Sequence, residues 1–340
     1  MHARCAEEER MSITSHDVAR LAGVSQPTVS RALRGDHRVS EATRTRVREA
    51  ADALGYVPSE AGRSLATRST HCVGVVVTDL TNPFYPHLIG PLHDTLEQHG
   101  YRMMLFAERS EAALETERLL DRSIDGVVLT TAVIGSGLPA ELTRRGLPFV
   151  FLNRETGAGN ADAAVVDNEA GGRLVAEELL RLGHTDIALI GGPAETTTGR
   201  DRELGFRIGL SEAGVGLPRR RVRQGPFDHG TGYEGLLDLM AENPRPTAVF
   251  CGNDVIAIGA INAARRLGID IPGDLTVIGF DDLPMASWET FDLTTVRHDL
   301  DGMAKAAAGL LVDRLAGNSE APRRTVFAPS LVPRGTHAQR

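Results

Sequence analysis

Cysteine is scarce in this chain. Cys5, Cys72 and Cys251 are its only three, far apart and in no CxxC or zinc-ligand spacing. That excludes a disulfide framework and a thiolate metal site, and leaves free thiols suited to a reducing compartment. No apolar run approaches the roughly 18 residues of a membrane span, so no membrane partner is expected. Residues 1–10, MHARCAEEER, lack the apolar core of a signal peptide, and a cytoplasmic protein is expected. There is no HExxH, GxSxG, P-loop or strand-following GxGxxG. His93, His184, His229 and His298 are scattered and pair with no Ser or Cys constellation. Neither an enzyme nor a cofactor or metal site is therefore expected.

What is present suits two to three globular domains. The 340 residues are 41% hydrophobic and 24% charged. The net charge of −8 argues against a nucleic-acid partner until its distribution is read. Residues 11–70 carry nine arginines against six carboxylates, net +3, whereas residues 71–340 are net −10. A basic head on an acidic body permits phosphate contact.

The head is organised around Thr14 to Leu33, TSHDVARLAGVSQPTVSRAL. Thr14 and Asp17 form a capping box, and Val18, Leu21 and Ala22 recur at helical spacing. Gly23 supplies the left-handed stop, since a residue without Cβ takes positive φ without strain. Ser25 caps a second helix, Pro27 fits its first turn, and Val24 and Val29 are placed to staple it. Two short helices joined by a glycine turn make a helix-turn-helix. In the second, Val29, Ala32 and Leu33 face inward. Gln26, Pro27, Ser30, Arg31 and Arg34 face out, with side chains that fork to adenine and guanine edges in a major groove. Together with Thr14, Ser25 and Thr28, they are the candidate DNA contacts. A third helix, Ser40 to Leu54, turns Arg44, Arg46 and Arg48 to solvent or phosphate.

From His71 the pattern changes. CVGVVVTD, YRMMLFA, GVVLT, PFVFLN, AAVVD, IALIGG, AVFCGN and LTVIGFDD read as fully buried parallel strands. Helical patterns at 86–99, 113–121, 170–182, 199–213, 230–240 and 253–267 alternate with them. That alternation predicts doubly wound parallel sheets, and about 270 residues predict two lobes. Ligands bind beyond the carboxyl ends of such strands. The polar and aromatic residues there are Asp79, Asn82, Phe84, Tyr85, Asn153, Arg154, Arg202, Phe227, Asn253, Asp254, Asp281 and Asp282. Singly, each reads as a cap or turn residue. Together, amides, guanidinium groups, carboxylates and ring faces suit a polyhydroxylated ligand.

LAGVSQPTVSRAL, then VSEATRTRVREAADALGYVP and GRSLAT, resembles the amino-terminal signature of the LacI/GalR family of bacterial transcription regulators. The resemblance runs to about Val332. It implies a sequence-specific regulator, most often a repressor, that binds a palindromic operator as a homodimer under control of a small-molecule effector, typically a sugar. Whether effector releases or favours DNA stays open. It implies a helix-turn-helix head at 12–57 and a hinge at 58–69 that folds on operator DNA, with Leu65 wedged into the minor groove. Gly62 departs from the better helix former usual in that hinge. It implies a core like periplasmic sugar-binding proteins, with one lobe of about 70–167 plus 297–323 and another of about 168–296 plus 324–340. The effector contacts carry over to Asn82, Phe84, Arg154, Arg202, Phe227, Asn253 and Asp281. Tyr85 lies beside them, and Asn153 stands where several sugar binders have Asp. Asp79 and Asp282 are expected at strand ends and helix caps. The leucine-heptad tail of the family's tetramers has no counterpart after 333. Residues 1–11 read as a disordered tail or as preceding a true start. A solute-binding protein without DNA function is the alternative, and residues 14–66 argue against it.

Overall fold

The computed structural model describes residues 13–57, 69–107, 116–157 and 161–340. The expected tail at 1–11 and the hinge residues 58–68, with Gly62 and Leu65, lie outside the described residues. The chain divides into two compact units between Thr70 and His71.

The first unit holds three helices: α1 (Ser15–Ala22), α2 (Gln26–Leu33) and α3 (Glu41–Leu54). Asp17 closes the start of α1 by accepting from the Thr14 backbone N–H at 3.0 Å and from its hydroxyl at 2.8 Å. Gly23 ends the helix at φ +63°. Ser25 stands at the N-cap of α2, but its hydroxyl bonds the Thr28 hydroxyl at 2.8 Å instead of capping a backbone N–H. Val18, Ala22, Val29, Ala32, Val47, Ala50 and Ala51 make the core of the head. Leu21 is not in it. Its side chain is 56% exposed and Ala19 is buried instead. At about 100° per residue, Leu21 falls well off the arc that 18, 19 and 22 turn inward.

The second unit contains two six-stranded sheets. The first comprises β1 (Cys72–Val77), β2 (Arg102–Ala107), β3 (Gly126–Leu129), β4 (Phe149–Leu152), β5 (Asp162–Val166) and β11 (Arg324–Phe327). Its order is β11-β5-β4-β3-β1-β2, and every pairing is parallel. The second comprises β6 (Ile187–Gly191), β7 (Val222–Gln224), β8 (Ala248–Cys251), β9 (Thr276–Asp281), β10 (Thr294–Arg297) and β12 (Ser330–Val332). It runs β12-β10-β9-β8-β6-β7, with β12 antiparallel to β10. In both, strand order reverses beside the first strand, so β1/β3 and β6/β8 are the switch points where such sheets bind ligands.

Two expectations are corrected here. YRMMLFA is no fully buried strand: β2 is the sheet edge, with Met104 and Leu105 exposed. The last passage between lobes also falls later than expected. Residues 324–327 pair with β5 in the first sheet, and only 330–332 join the second. The tie is electrostatic. Asp162, buried at the start of β5, accepts from Arg314 Nε at 2.6 Å, from its Nη2 at 2.9 Å and from the Arg323 backbone N–H at 2.7 Å. Arg314 lies on α11 (Leu300–Leu315), which packs on the first sheet, so one carboxylate holds the returning helix and strand together.

Burial alone would raise the Asp162 pKa, but the Arg314 and Arg323 donors lower it below the ordinary carboxylate value. The ionised form therefore stabilises the fold at neutral pH, and that contribution is lost as pH falls below about 4 through the lowered pKa. Asp162→Asn should cost about 3–5 kcal/mol, as breaking one side of a buried pair does. Thermal melts from pH 7 to 3 should show a lower Tm for the variant at neutrality and a gap that closes on acidification.

Candidate functional site

The cleft is built from strand ends. The β1 end leads through Asp79, whose Oδ1 accepts from the Thr81 N–H and hydroxyl at 2.8 and 2.6 Å, a turn role as expected. It then reaches Asn82 and α4 (Phe84–Gln98). Asn82 Oδ1 accepts the Phe84 N–H at 3.0 Å, while its Nδ2 donates to the Phe227 carbonyl at 2.9 Å, from the first lobe to the second. Two more bonds cross the cleft: the Ile134 N–H donates to the Glu195 carbonyl at 2.8 Å, and the Glu155 N–H to Thr197 Oγ1 at 3.3 Å. The lobes are closed.

Arg202 stands at the centre. It lies on α8 (Thr197–Glu212), which packs directly on α7 (Asn168–Arg181). The approach is backbone to backbone: a Cβ on Gly205 would lie 1.9 Å from the Glu169 carbonyl oxygen, and one on Gly172 2.1 Å from that of Arg202. Arg202 is 3% exposed. Its Nε donates to Asn168 Oδ1 at 2.9 Å, Nη1 to the Gly252 carbonyl at 2.7 Å and Nη2 to Asp281 Oδ1 at 3.0 Å. Its guanidinium carbon sits 3.7 Å from the centre of the Phe280 ring. Burial pulls the Arg202 pKa down, and the Asp281 charge opposes this, which keeps the guanidinium ionised.

Three residues at strand ends hold costly backbone, Asp282 at φ +52° among them. Asn153 follows β4 at φ +72° and Asp281 ends β9 at φ +109°. Such conformations cost about 1–3 kcal/mol each and concentrate at ligand clamps. Asn253 is both cap and lining: its Oδ1 accepts the Ile256 N–H at 2.9 Å at the start of α10 (Asp254–Leu267). Behind it, Asp254 is buried and accepts from the Leu283 N–H at 2.7 Å and from Thr295 Oγ1 at 2.5 Å. Burial, with Asp281 nearby, pushes its carboxyl well above the ordinary range.

Asn82, Phe84, Tyr85, Asn153, Arg154, Arg202, Phe227, Asn253 and Asp281 all line one cavity. Sequence reasoning missed three neighbours. Thr198 lines the same cavity, Asn168 orients Arg202, and His298 Nε2 lies 3.4 Å from Asp281 Oδ1. A threonine in ETTTGR and a histidine at a strand end carry no signal of their own. Asp254 lies behind the cavity, and Asp282 pairs with Arg297 and Arg334 outside it.

In the head, Arg31 and Arg34 are exposed, while Gln26 is half-buried and donates to Ser15 Oγ at 3.2 Å. Arg44 is held within the head. It pairs with Glu41 and reaches the carbonyls of Gly35 and Asp36, pinning the turn after α2.

A three-helix head with a helix-turn-helix, followed by a two-lobed α/β core closed over a polar cleft, is the build of a ligand-responsive DNA-binding regulator. Residues 14–59 match the family model "Bacterial regulatory proteins, lacI family", and residues 176–337 a "Periplasmic binding protein-like domain". The chain is 34% identical to the ribose operon repressor of Escherichia coli (strain K12) over 330 residues, 95% of this chain and 99% of that protein. A solved transcriptional regulator CelR–cellobiose complex aligns at 32% identity with a TM-score of 0.74, covering 95% of this chain and 99% of that one. A lac repressor dimer bound to operator and the anti-inducer ONPF aligns at 26% identity with a TM-score of 0.86, covering 96% and 99%. The chain belongs to the LacI family of bacterial transcription regulators.

Gly205→Ala should overpack the α7–α8 contact and cost about 1–3 kcal/mol. Calorimetry should show a lowered core Tm; an unchanged Tm would mean that the helices do not meet at this glycine.

Proposed function

We propose that this chain acts in the cytoplasm as a homodimeric repressor of a palindromic operator, with a DNA grip set by a polyol, a sugar or sugar derivative, in the cleft. The cavity carries this reading. Amide, guanidinium and carboxylate groups converge in it from both lobes, beside the rings of Phe84, Tyr85 and Phe227. Arg202 is the central fork, since each terminal nitrogen keeps a second N–H beyond those bound to Gly252 and Asp281. The names of the relatives, a ribose operon repressor and a regulator crystallised with cellobiose, support the class of ligand.

On the DNA side, α2 is the reading helix, with Ser25, Gln26, Pro27, Thr28, Ser30, Arg31 and Arg34 at the groove and Thr14 at phosphate. Leu65 is the proposed minor-groove wedge of the hinge. The two-fold symmetry of a dimer dictates a two-fold operator. A solute-binding protein would have no use for the head, and the relatives are regulators and not enzymes.

A gel-shift series should show cooperative binding to a palindromic duplex and weak binding to one half-site. Arg31→Ala should weaken operator binding by about tenfold or more, the loss of a contact worth roughly 1–3 kcal/mol, with ligand-induced thermal stabilisation unchanged. Arg202→Lys should do the reverse, because a single ammonium cannot reproduce the three-way fork. Loss of both activities in either variant would contradict the division of labour, and turnover of a bound polyol would revive an enzyme.

A further inference from the structure

The cavity is not electrically neutral. Its charged lining residues are Arg154, Arg202 and Asp281. Asp281 is already committed to Arg202 at 3.0 Å. The acid next in sequence to Arg154, Glu155, is paired with Arg324 at 2.8 Å. Asp254 lies outside the lining, and burial favours its neutral form. Two guanidinium groups therefore face one carboxylate.

The unmatched cation is Arg154. Among the described residues no carboxylate pairs with it, and its Nε is buried without a hydrogen-bond partner. The neighbouring Asn153 Oδ1 is likewise buried and unpartnered. Arg154 lies 5.3 Å from the centre of the Phe227 ring, and Arg202 lies 5.9 Å from the same centre. Two like charges share one ring, and the charge of Arg154 adds to the burial that lowers the Arg202 pKa. A neutral sugar satisfies hydrogen bonds but leaves this repulsion in place. An anion beside Arg154 relieves it and gains charge-assisted bonds, roughly twice as strong as neutral ones.

We infer that the effector is an acidic sugar derivative, a polyol bearing one carboxylate or phosphate that docks on Arg154. This rests on the polyol reading above and narrows it. Asn153 then acts in specificity: as an amide it leaves the Arg154 charge uncompensated, whereas an aspartate at the same place would cancel it.

Calorimetric titration of the full-length protein with matched pairs tests this: glucose against glucuronate and glucose 6-phosphate, and ribose against ribonate and ribose 5-phosphate. At least one acid should bind about tenfold or more tightly than its neutral parent, the return of one hydrogen bond to a charged group. The carboxylate and phosphate arms show which anion fits. The ratio should shrink with added salt. Arg154→Gln should bring the ratio near one, and Asn153→Asp, whose side chain tolerates the same positive φ, should favour the neutral parent. Neutral parents that bind as tightly as their acids, or an unchanged ratio in Arg154→Gln, would overturn the inference and leave the polyol reading standing. Failure of every acidic and neutral polyol would overturn both.

Discussion

The buried pair between Arg202 and Asp281 is the constraint around which the core is arranged. A guanidinium taken out of water costs several kcal/mol unless its donors and charge are met. Here they are met by three different segments: Asn168 at the start of α7, the Gly252 carbonyl after β8, and Asp281 at the end of β9. The Phe280 ring covers one guanidinium face. Those segments must stay in register for the charge to be tolerated, so the pair fixes the cleft floor in the second lobe. Asp281 accepts the expense of a positive φ to reach its partner.

The first lobe meets that floor through few polar contacts. Asn82, Ile134 and Glu155 reach across with single hydrogen bonds to Phe227, Glu195 and Thr197. Each such bond is worth about 1 kcal/mol net. Three of them hold a closed cleft with a stabilisation comparable to the differential binding free energy of a small ligand. A ligand with its own contacts to both lobes can therefore shift the balance between open and closed forms, the requirement for an effector.

Much of this was legible in the residues. The cleft set was readable because doubly wound sheets present their strand ends together, so the polar residues that follow β1, β4, β8 and β9 had to converge. The helix-turn-helix was readable because its caps, Gly23 and the apolar spacing are all local. The misses were of a different kind. Strands Val222–Gln224, Thr294–Arg297, Arg324–Phe327 and Ser330–Val332 are short, and their Arg, Thr, Ser and Gln side chains hide them from an apolar pattern. Three of the four are edge strands, where one side needs no partner and polar residues are tolerated. The helix Leu138–Arg145 buries only Pro139 and Leu142, too few apolar positions to show a period. Leu21 was misplaced because three helices, and not one, decide which face of α1 is covered. Asn168 and His298 could not be read as cleft partners, since their roles depend on contacts 34 and 17 residues away in the chain.

A base-reading head and a ligand-closing core share one chain, and linkage makes their coupling quantitative. If a bound polyol changes operator affinity by a given factor, operator must change polyol affinity by the same factor. Isothermal titration of the polyol into free protein and into the preformed operator complex measures this directly. Such coupling gives two different affinities whose ratio equals the change in operator affinity measured with and without ligand. Identical ligand affinities on and off the operator would contradict it.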